Sequence, residues 1–367
     1  MKTRLVENPS DELSDVLRSI ASEPSVQGLG IFAGEGKDID PRRFNSMLRE
    51  LTIPVFGGVF PEVIYKGERK PDSVVVVGVK AEPNVSVVPE LSDSDTEFDE
   101  HLPENTQQDG TAFVLVDAYA SRAEDFVGKL FARYGVNLTY LGGGGGSLDM
   151  EQRPCLITNE GLVEDAAIFV TFETTTTVGV KHGWKEIAGP LRATDTDGPT
   201  LAELDGEPAF PVYKRIVEDD ADVTLTRSNF FDIAKEYPFG ISRIEGEKIV
   251  RDPFEVTDDG ALTCFGDIPE GAFLNVLKGD EDSLAAAAGE AYDTIAAEAD
   301  GNANVVLFDC ISRVLYLEEA FERELEFIGD DECPEFGALT IGEIANDGEG
   351  HLDYYNKTVV AAVTNSL

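Results

Sequence analysis

Histidine, cysteine and tryptophan are nearly missing from this chain, at 3, 4 and 1 among 367 residues. Cys155, Cys264, Cys310 and Cys333 stand far apart and never as C-x-x-C, and His101, His182 and His351 are equally scattered. That spacing excludes a zinc quartet, and four dispersed thiols in a chain this long do not make a disulfide framework. Basic residues are scarce as well. Lys and Arg number 29 against 71 Asp and Glu, a formal net charge of −42, and such a field repels nucleic acid and anionic membranes. No apolar run approaches the roughly 20 residues needed to span a bilayer. Residues 1–7 turn polar at once and lack the apolar core of a signal peptide. A cytoplasmic protein is therefore expected. The acidity is spread along the chain, with local peaks at 93–100 and at Glu218-Asp219-Asp220. A distributed excess with little lysine resembles the solvating surface of proteins from salt-saturated cytoplasm, and it says nothing about activity.

What the chain does have is repetition. Three stretches run as an apolar strand, an amphipathic helix, a second strand ending in small residues, and a returning strand. The first goes from Gly28-Leu29-Gly30-Ile31-Phe32 through Phe44 and Leu48 to Pro54-Val55-Phe56-Gly57-Gly58, returning at 73–77. The second goes from Ala112-Phe113-Val114-Leu115-Val116 through the helix around 126–131 to Leu138-Thr139-Tyr140-Leu141 and the glycines 142–146, returning at 167–170. The third goes from Asn304-Val305-Val306-Leu307-Phe308 through a helix over 317–327 to Phe336-Gly337-Ala338-Leu339, returning at 358–363. A unit of roughly 60 residues cannot bury its own face, so paired units around shared sheets are expected. The fold class is α/β (α+β), with two domains of repeated strand-helix-strand-strand units around mixed sheets. The first domain is placed at 1–174, as a pseudo-two-fold pair joined by a mobile acidic excursion over 84–110. The second is placed at 175–367. The spacing of Leu13, Val16, Leu17 and Ile20 predicts a helix behind a capping Ser10.

Candidate chemistry gathers at strand ends. The run Gly142-Gly143-Gly144-Gly145-Gly146-Ser147 is either a tight turn or close-packed crossing, or a backbone that lines a ligand. It satisfies neither G-x-G-x-x-G nor G-x-x-x-x-G-K-[ST]. Cys310 and Arg313 follow the third repeat's first strand, where α/β proteins place binding residues. Positive charge beside a cysteine favours thiolate. Strand-end Glu343, Arg313 and Asn356 can hold a zwitterion, guanidinium to carboxylate and carboxylate to ammonium. Alternatively, Arg313 and Glu343 pair with each other and fix the turn. His182 and Trp184 flank Gly183 and share a face, so His182 can ligate haem iron or serve as a structural residue.

A series of short motifs stands in an order similar to the FIST family, which pairs a FIST N with a FIST C domain. They include Pro54-Val55-Phe56-Gly57-Gly58, the segment from Leu141 to Ser147 with Asn159-Glu160-Gly161, and His182-Gly183-Trp184-Lys185-Glu186-Ile187. Glu203-Leu204-Asp205-Gly206-Glu207-Pro208-Ala209-Phe210-Pro211-Val212-Tyr213, Tyr237-Pro238-Phe239-Gly240 and Val250-Arg251-Asp252-Pro253 follow. Ile268-Pro269-Glu270-Gly271, Phe308-Asp309-Cys310-Ile311-Ser312-Arg313, Gly342-Glu343-Ile344 and Tyr355-Asn356-Lys357-Thr358 close the series. The resemblance implies a sensory module for small ligands, with amino acids the usual suggestion and haem bound by some members. No kinase, methyl-accepting or cyclase segment stands in these residues. A separate partner, a histidine kinase or transducer protein, is therefore implied.

The leading expectation is a non-catalytic two-domain sensor whose ligand touches Arg313, Glu343, Asn356, Cys310 and the backbone of Gly142, Gly143 and Gly144. No cofactor or metal is expected in that reading. The rival readings are a haem-based gas sensor with His182 as axial ligand, an enzyme with Cys310 as nucleophile, and an interaction protein that docks a basic partner.

Overall fold

The computed structural model describes residues 1–36, 40–104, 109–243, 246–297, 303–328, 335–346 and 350–364. The repeats are three, and each is longer than its apolar pattern. The first contains β1 (Lys2–Val6), α1 (Pro9–Ala21), β2 (Gly28–Gly34), α2 (Pro41–Arg49), β3 (Val55–Phe60), the hairpin β4 (Glu62–Tyr65) and β5 (Glu68–Lys70), and β6 (Val74–Val79). The second contains β7 (Asn84–Val88), β8 (Gly110–Asp117), α3 (Ala123–Tyr134), β9 (Leu138–Gly145), the hairpin β10 (Leu156–Thr158) and β11 (Gly161–Val163), and β12 (Ala167–Phe172).

The third begins at β13 (Thr177–Lys181) and is then interrupted. Its interruption carries β14 (Lys185–Asp197), β15 (Thr200–Leu204), β16 (Glu207–Pro208), α4 (Ala209–Asp220), α5 (Phe230–Ala234), β17 (Phe239–Ile241), β18 (Ile249–Val256), β19 (Leu262–Phe265) and β20 (Phe273–Lys278). The unit resumes with α6 (Glu281–Ala296), β21 (Asn304–Cys310), α7 (Ile311–Leu317), α8 (Glu322–Glu326) and β22 (Glu335–Thr340). It closes with the hairpin β23 (Glu343–Ala345) and β24 (Asp353–Tyr355), and β25 (Val359–Thr364).

The expected two-fold pair is corrected by the pairing. Among the described residues, three six-stranded sheets share one plan, β1-β6-β2-β3-β10-β11, β7-β12-β8-β9-β23-β24 and β13-β25-β21-β22-β4-β5. Each unit thus gives its hairpin to another: the first to the third, the second to the first, the third to the second. The exchange is cyclic and threefold, and it crosses residue 174 in both directions. A seven-stranded sheet built from β14 to β20 forms a separate inserted lobe within the third unit.

The registers show how closely the units correspond. Gly57, Gly142 and Gly337 stand opposite Ile31, Val114 and Leu307 in the parallel pairs. At each of the three, an added Cβ would lie closer than 3.0 Å to the facing carbonyl oxygen, so only glycine lets the strands approach. On the other side, the same glycines face Ile157, Ile344 and Ile64 of the donated hairpins. Those isoleucines enter the helix-facing core of the receiving unit. The opposite faces of the sheets meet in one shared core. There Phe32 packs on Phe308 and Phe336 at 6.0 and 5.9 Å between ring centres, and Phe56 on Phe113 at 5.8 Å.

Local expectations are adjusted in three places. Helix α1 starts at Pro9, where a missing N–H costs nothing, so Ser10 lies inside it rather than capping it. The described part of the acidic excursion is packed instead of loose. Its first residues are β7, paired along β12, and Leu91, Phe98 and Leu102 are buried beside α3. The helix expected over 317–327 is two short helices joined by a 3₁₀ turn at Glu318–Phe321. No helix among the described residues is long and apolar enough to cross a membrane.

Candidate functional site

Polar residues enter the third unit where the other two are apolar. Asp309 occupies the register position of Ala33 and Val116, and Glu343 that of Leu156 and Val63. Both carboxyls are fully buried. Glu343 faces Gly143 across β9 and β23. Its Oε1 accepts the Thr340 hydroxyl at 2.9 Å and its Oε2 the Thr358 N–H at 3.3 Å. Asp309 Oδ1 accepts the Cys310 N–H at 2.8 Å and lies 3.4 Å from Arg313 Nε, while Oδ2 has no partner. Burial pushes both carboxyls well above the usual carboxylate range, because the charged form loses its water.

Arg313 is the hub of this cluster. Its Nε and Nη2 donate to Glu324 Oε2 and Oε1 at 3.0 and 2.7 Å. Nη1 donates to the carbonyls of His182 and Lys357 at 2.6 and 3.1 Å, and Nη2 also to that of Leu284 at 3.1 Å. A guanidinium has five N–H donors, so none remains for a ligand. Arg313 was expected at a ligand, or paired with Glu343; instead it pairs with Glu324 and ties four chain segments together.

The remaining expected residues surround it. The Cys310 thiol contacts Ser312 Oγ at 3.0 Å. Burial, and then Glu343, pushes it up to about 12, so no thiolate is poised there. Cys333 lies outside the described residues. Gly142, Gly143 and Gly144 form part of β9 itself, with Gly144 N–H donating to Gly342. The glycine run is a close-packed crossing. Asn356 donates to the carbonyl of Phe265 at 3.1 Å. His182 accepts the Trp184 N–H on Nδ1 at 2.9 Å, and its Nε2 lies 3.2 Å from Glu247. Both ring nitrogens are engaged, and burial lowers the imidazole to about 4. The residue does not fit a haem ligand without losing one of these contacts. No group of three or more metal-type side chains occurs among the described residues.

A cavity of about 300 Å³ opens beside this cluster, where α3, the inserted lobe and β24 meet. Arg251, nearly fully buried on β18, donates to the carbonyls of Asp267 at 2.8 Å and Tyr354 at 3.0 Å. It also holds Glu124 Oε2 of α3 at 2.7 Å. Glu124 Oε1 accepts the Asp267 N–H at 2.7 Å. Burial raises Glu124 above its ordinary range although Arg251 works the other way. At the rim Arg243 pairs with Asp353. Tyr354 separates cavity from cluster. Its hydroxyl donates to Ile341 at 2.7 Å, and its ring occupies space left by Gly342 and Gly144, where a Cβ would collide with it.

Larger grooves, of about 810 and 640 Å³, lie where the first two units meet. They contain none of the strand-end residues, and the first is lined largely by 49–54 and 83–85. Size alone is a weak guide when polar groups do not converge. Glu124 and Tyr354 were not singled out by their sequence. Arg251 offered a signal, since Arg251-Asp252 places two charges side by side in the buried first part of a strand.

Residues 28–207 match the FIST N domain and residues 209–346 match the FIST C domain. The break between the two falls inside the inserted lobe, between β16 and α4. No curated protein matches the chain.

Proposed function

We propose that this chain, which belongs to the FIST family, senses a small ligand in the cavity between the inserted lobe and the three-unit body. FIST domains are associated with sensory signal transduction, and convergent charges around a cavity support a ligand-sensing reading. One observation carries the reading. Two arginines and three carboxylates, Arg243, Arg251, Glu124, Asp267 and Asp353, converge on about 300 Å³. Few-atom zwitterions suit such a volume, at the low end of ligand pockets. An amino acid would set its carboxylate on Arg251 or Arg243 and its ammonium on Glu124 or Asp353.

Arg313, Glu343, Asn356, Cys310 and the glycines 142–144 have a different part in this proposal. They form the rigid wall behind Tyr354, and Asn356 fixes the lobe's Phe265 to that wall. A separate cytoplasmic partner, a histidine kinase or transducer, would read the liganded state.

Thermal unfolding in molar potassium chloride against amino acids, nucleotides, common metabolites and haemin tests the proposal. A ligand at a hundred times its dissociation constant stabilises a protein by about 2.7 kcal/mol. The expected result is an amino-acid hit that Arg243→Gln abolishes. A hit retained in both Arg243→Gln and Glu124→Gln would overturn the site. A haemin hit lost in His182→Ala would replace the ligand class.

A further inference from the structure

Each of the three six-stranded sheets has two outer strands: β1 and β11, β7 and β24, and β13 and β5. An outer strand turns a row of N–H and C=O groups away from its sheet. Proteins keep such rows from pairing with charge, proline or a covering element. Five of the six edges are guarded in this way. β1 carries Lys2 and Arg4, and all three residues of β5 are charged. β13 lies under α6, where a Cβ on Gly179 would meet the Ala291 carbonyl. On β11 the Leu162 N–H donates to Asn45 Oδ1 at 2.9 Å, and on β24 the Tyr354 carbonyl accepts from Arg251 at 3.0 Å.

β7 is the exception. Its five residues, Asn84-Val85-Ser86-Val87-Val88, hold no charge and no proline, and Pro83 and Pro89 bound them. It pairs with β12 in unbroken register. Among the described residues nothing bonds to its outer main chain. Asn84 is exposed, and Val85, Ser86 and Val87 are half-buried. The two larger grooves meet at its start and share Pro83 and Asn84. They differ in chemistry. The first, where Arg49 and Glu160 balance in charge, runs past Val85 to Leu51, Ile53 and Pro54. The second holds Glu82, Glu104, Asp109 and Glu173 and, among the described residues, no Lys or Arg.

We infer that β7 is a docking edge for an extended segment of a partner protein, one that alternates apolar and basic residues. Such a segment adds a strand beside β7, and its main chain satisfies the open row. Side chains of a strand alternate between faces. Val85 lies against the shared core, whereas Val88 belongs to the core beneath α3. Tyr134 and Leu138 of that second core wall the acidic groove. Apolar residues on one face of the added strand therefore extend the contact of Val85 with Leu51 and Ile53, and basic residues on the other meet the four carboxylates. A second copy of this chain would bring its own acidic groove to the same edge, and like charges oppose that pairing. β7 stands apart from the cavity beside Tyr354, so the inference does not depend on the sensor reading.

The probe is a fluorescent peptide of alternating lysine and valine, titrated against the full chain at the lowest potassium chloride concentration that keeps it folded. The controls are the same peptide with glutamate for lysine, and with every second residue N-methylated along one edge or the other. The expected result is binding of the lysine–valine peptide alone, with slowed hydrogen exchange over residues 84–88. Methylation along the edge that pairs with β7 abolishes it, and methylation along the far edge does not. Glu82→Lys with Glu173→Lys, both exposed positions, weakens it by about tenfold or more. Binding that ignores both methylations, or ignores the charge reversal, is unspecific attraction to an acidic surface and overturns the inference. Failure of the lysine–valine peptide to bind overturns it equally. So does a dimer of the chain alone that protects 84–88, which would place a second copy on β7. A silent ligand screen leaves these outcomes untouched, so the two readings fail separately.

Discussion

Arg313 and Glu324 hold each other through two parallel hydrogen bonds, 3.0 and 2.7 Å long, with neither side chain exposed. Eleven residues apart in sequence, they clamp α7 to α8. The other three donors of Arg313 bridge to the carbonyls of His182, Leu284 and Lys357. The pair therefore fixes the third unit on both sides of the inserted lobe as well as its helices.

Removing one partner of a buried ion pair leaves the other uncompensated, typically at about 3–5 kcal/mol. Arg313→Ala should lose that much in denaturant unfolding. Replacing both partners by apolar residues often restores stability. Here Arg313→Met with Glu324→Leu should stay destabilised, because three main-chain carbonyls lose their donor. Full recovery in the double variant would contradict this account.

Glycine to alanine should act with opposite sign at two positions. At Gly337 an added Cβ runs into the Leu307 carbonyl, and overpacking of this kind costs about 1–3 kcal/mol or more. At Gly128, within α3, a Cβ meets nothing within 4 Å. Alanine there should stabilise by about 0.5–1 kcal/mol through helix propensity. Melting of the two variants side by side is sufficient to check both.

The buried Glu343 gives a pH signature. Its folded form keeps the proton over a range where the unfolded chain, near pH 4.3, has released it. The folded state binds more protons in that window, so this group's contribution declines as pH rises through it. Glu343→Gln is neutral throughout. Relative to wild type it should gain stability between pH 5 and pH 8, as seen in urea unfolding, and a parallel pH course would refute the buried, protonated carboxyl.

Thiol labelling addresses Cys310. Cys155, Cys264 and Cys310 are all buried and free, and burial raises each thiol. In a Cys333→Ser background the native protein should remain unlabelled by a thiol reagent at neutral pH, then react fully on unfolding. Rapid modification of Cys310 alone would revive the nucleophile reading.

The three repeats were legible in the sequence because their signal is local. Apolar alternation, helical spacing and glycine placement act over a few residues, and the observed strands β2, β3, β8, β9, β21 and β22 fall where the pattern put them. The small residues at Gly57, Gly142 and Gly337 were visible as well, although not the close strand approach that requires glycine there. The hairpin exchange left no comparable trace. A hairpin of two short strands carries the same pattern whichever sheet receives it, and the choice depends on the fit of Ile64, Ile157 and Ile344 into another unit's core.

The site divides in the same way. Its strand-end polar residues, Cys310, Arg313, Glu343 and Asn356, stand out in the chain and do gather in space. Their partners do not stand out. Arg251 meets Glu124 across 127 positions of sequence, and Tyr354 finds its place through Gly144. Sequence alone determined which segments form strands and helices, and that the surface is acidic. Only the tertiary structure decided which charges are buried, which are saturated and which face a cavity. Burial and pairing arise from long-range contacts that no local pattern encodes.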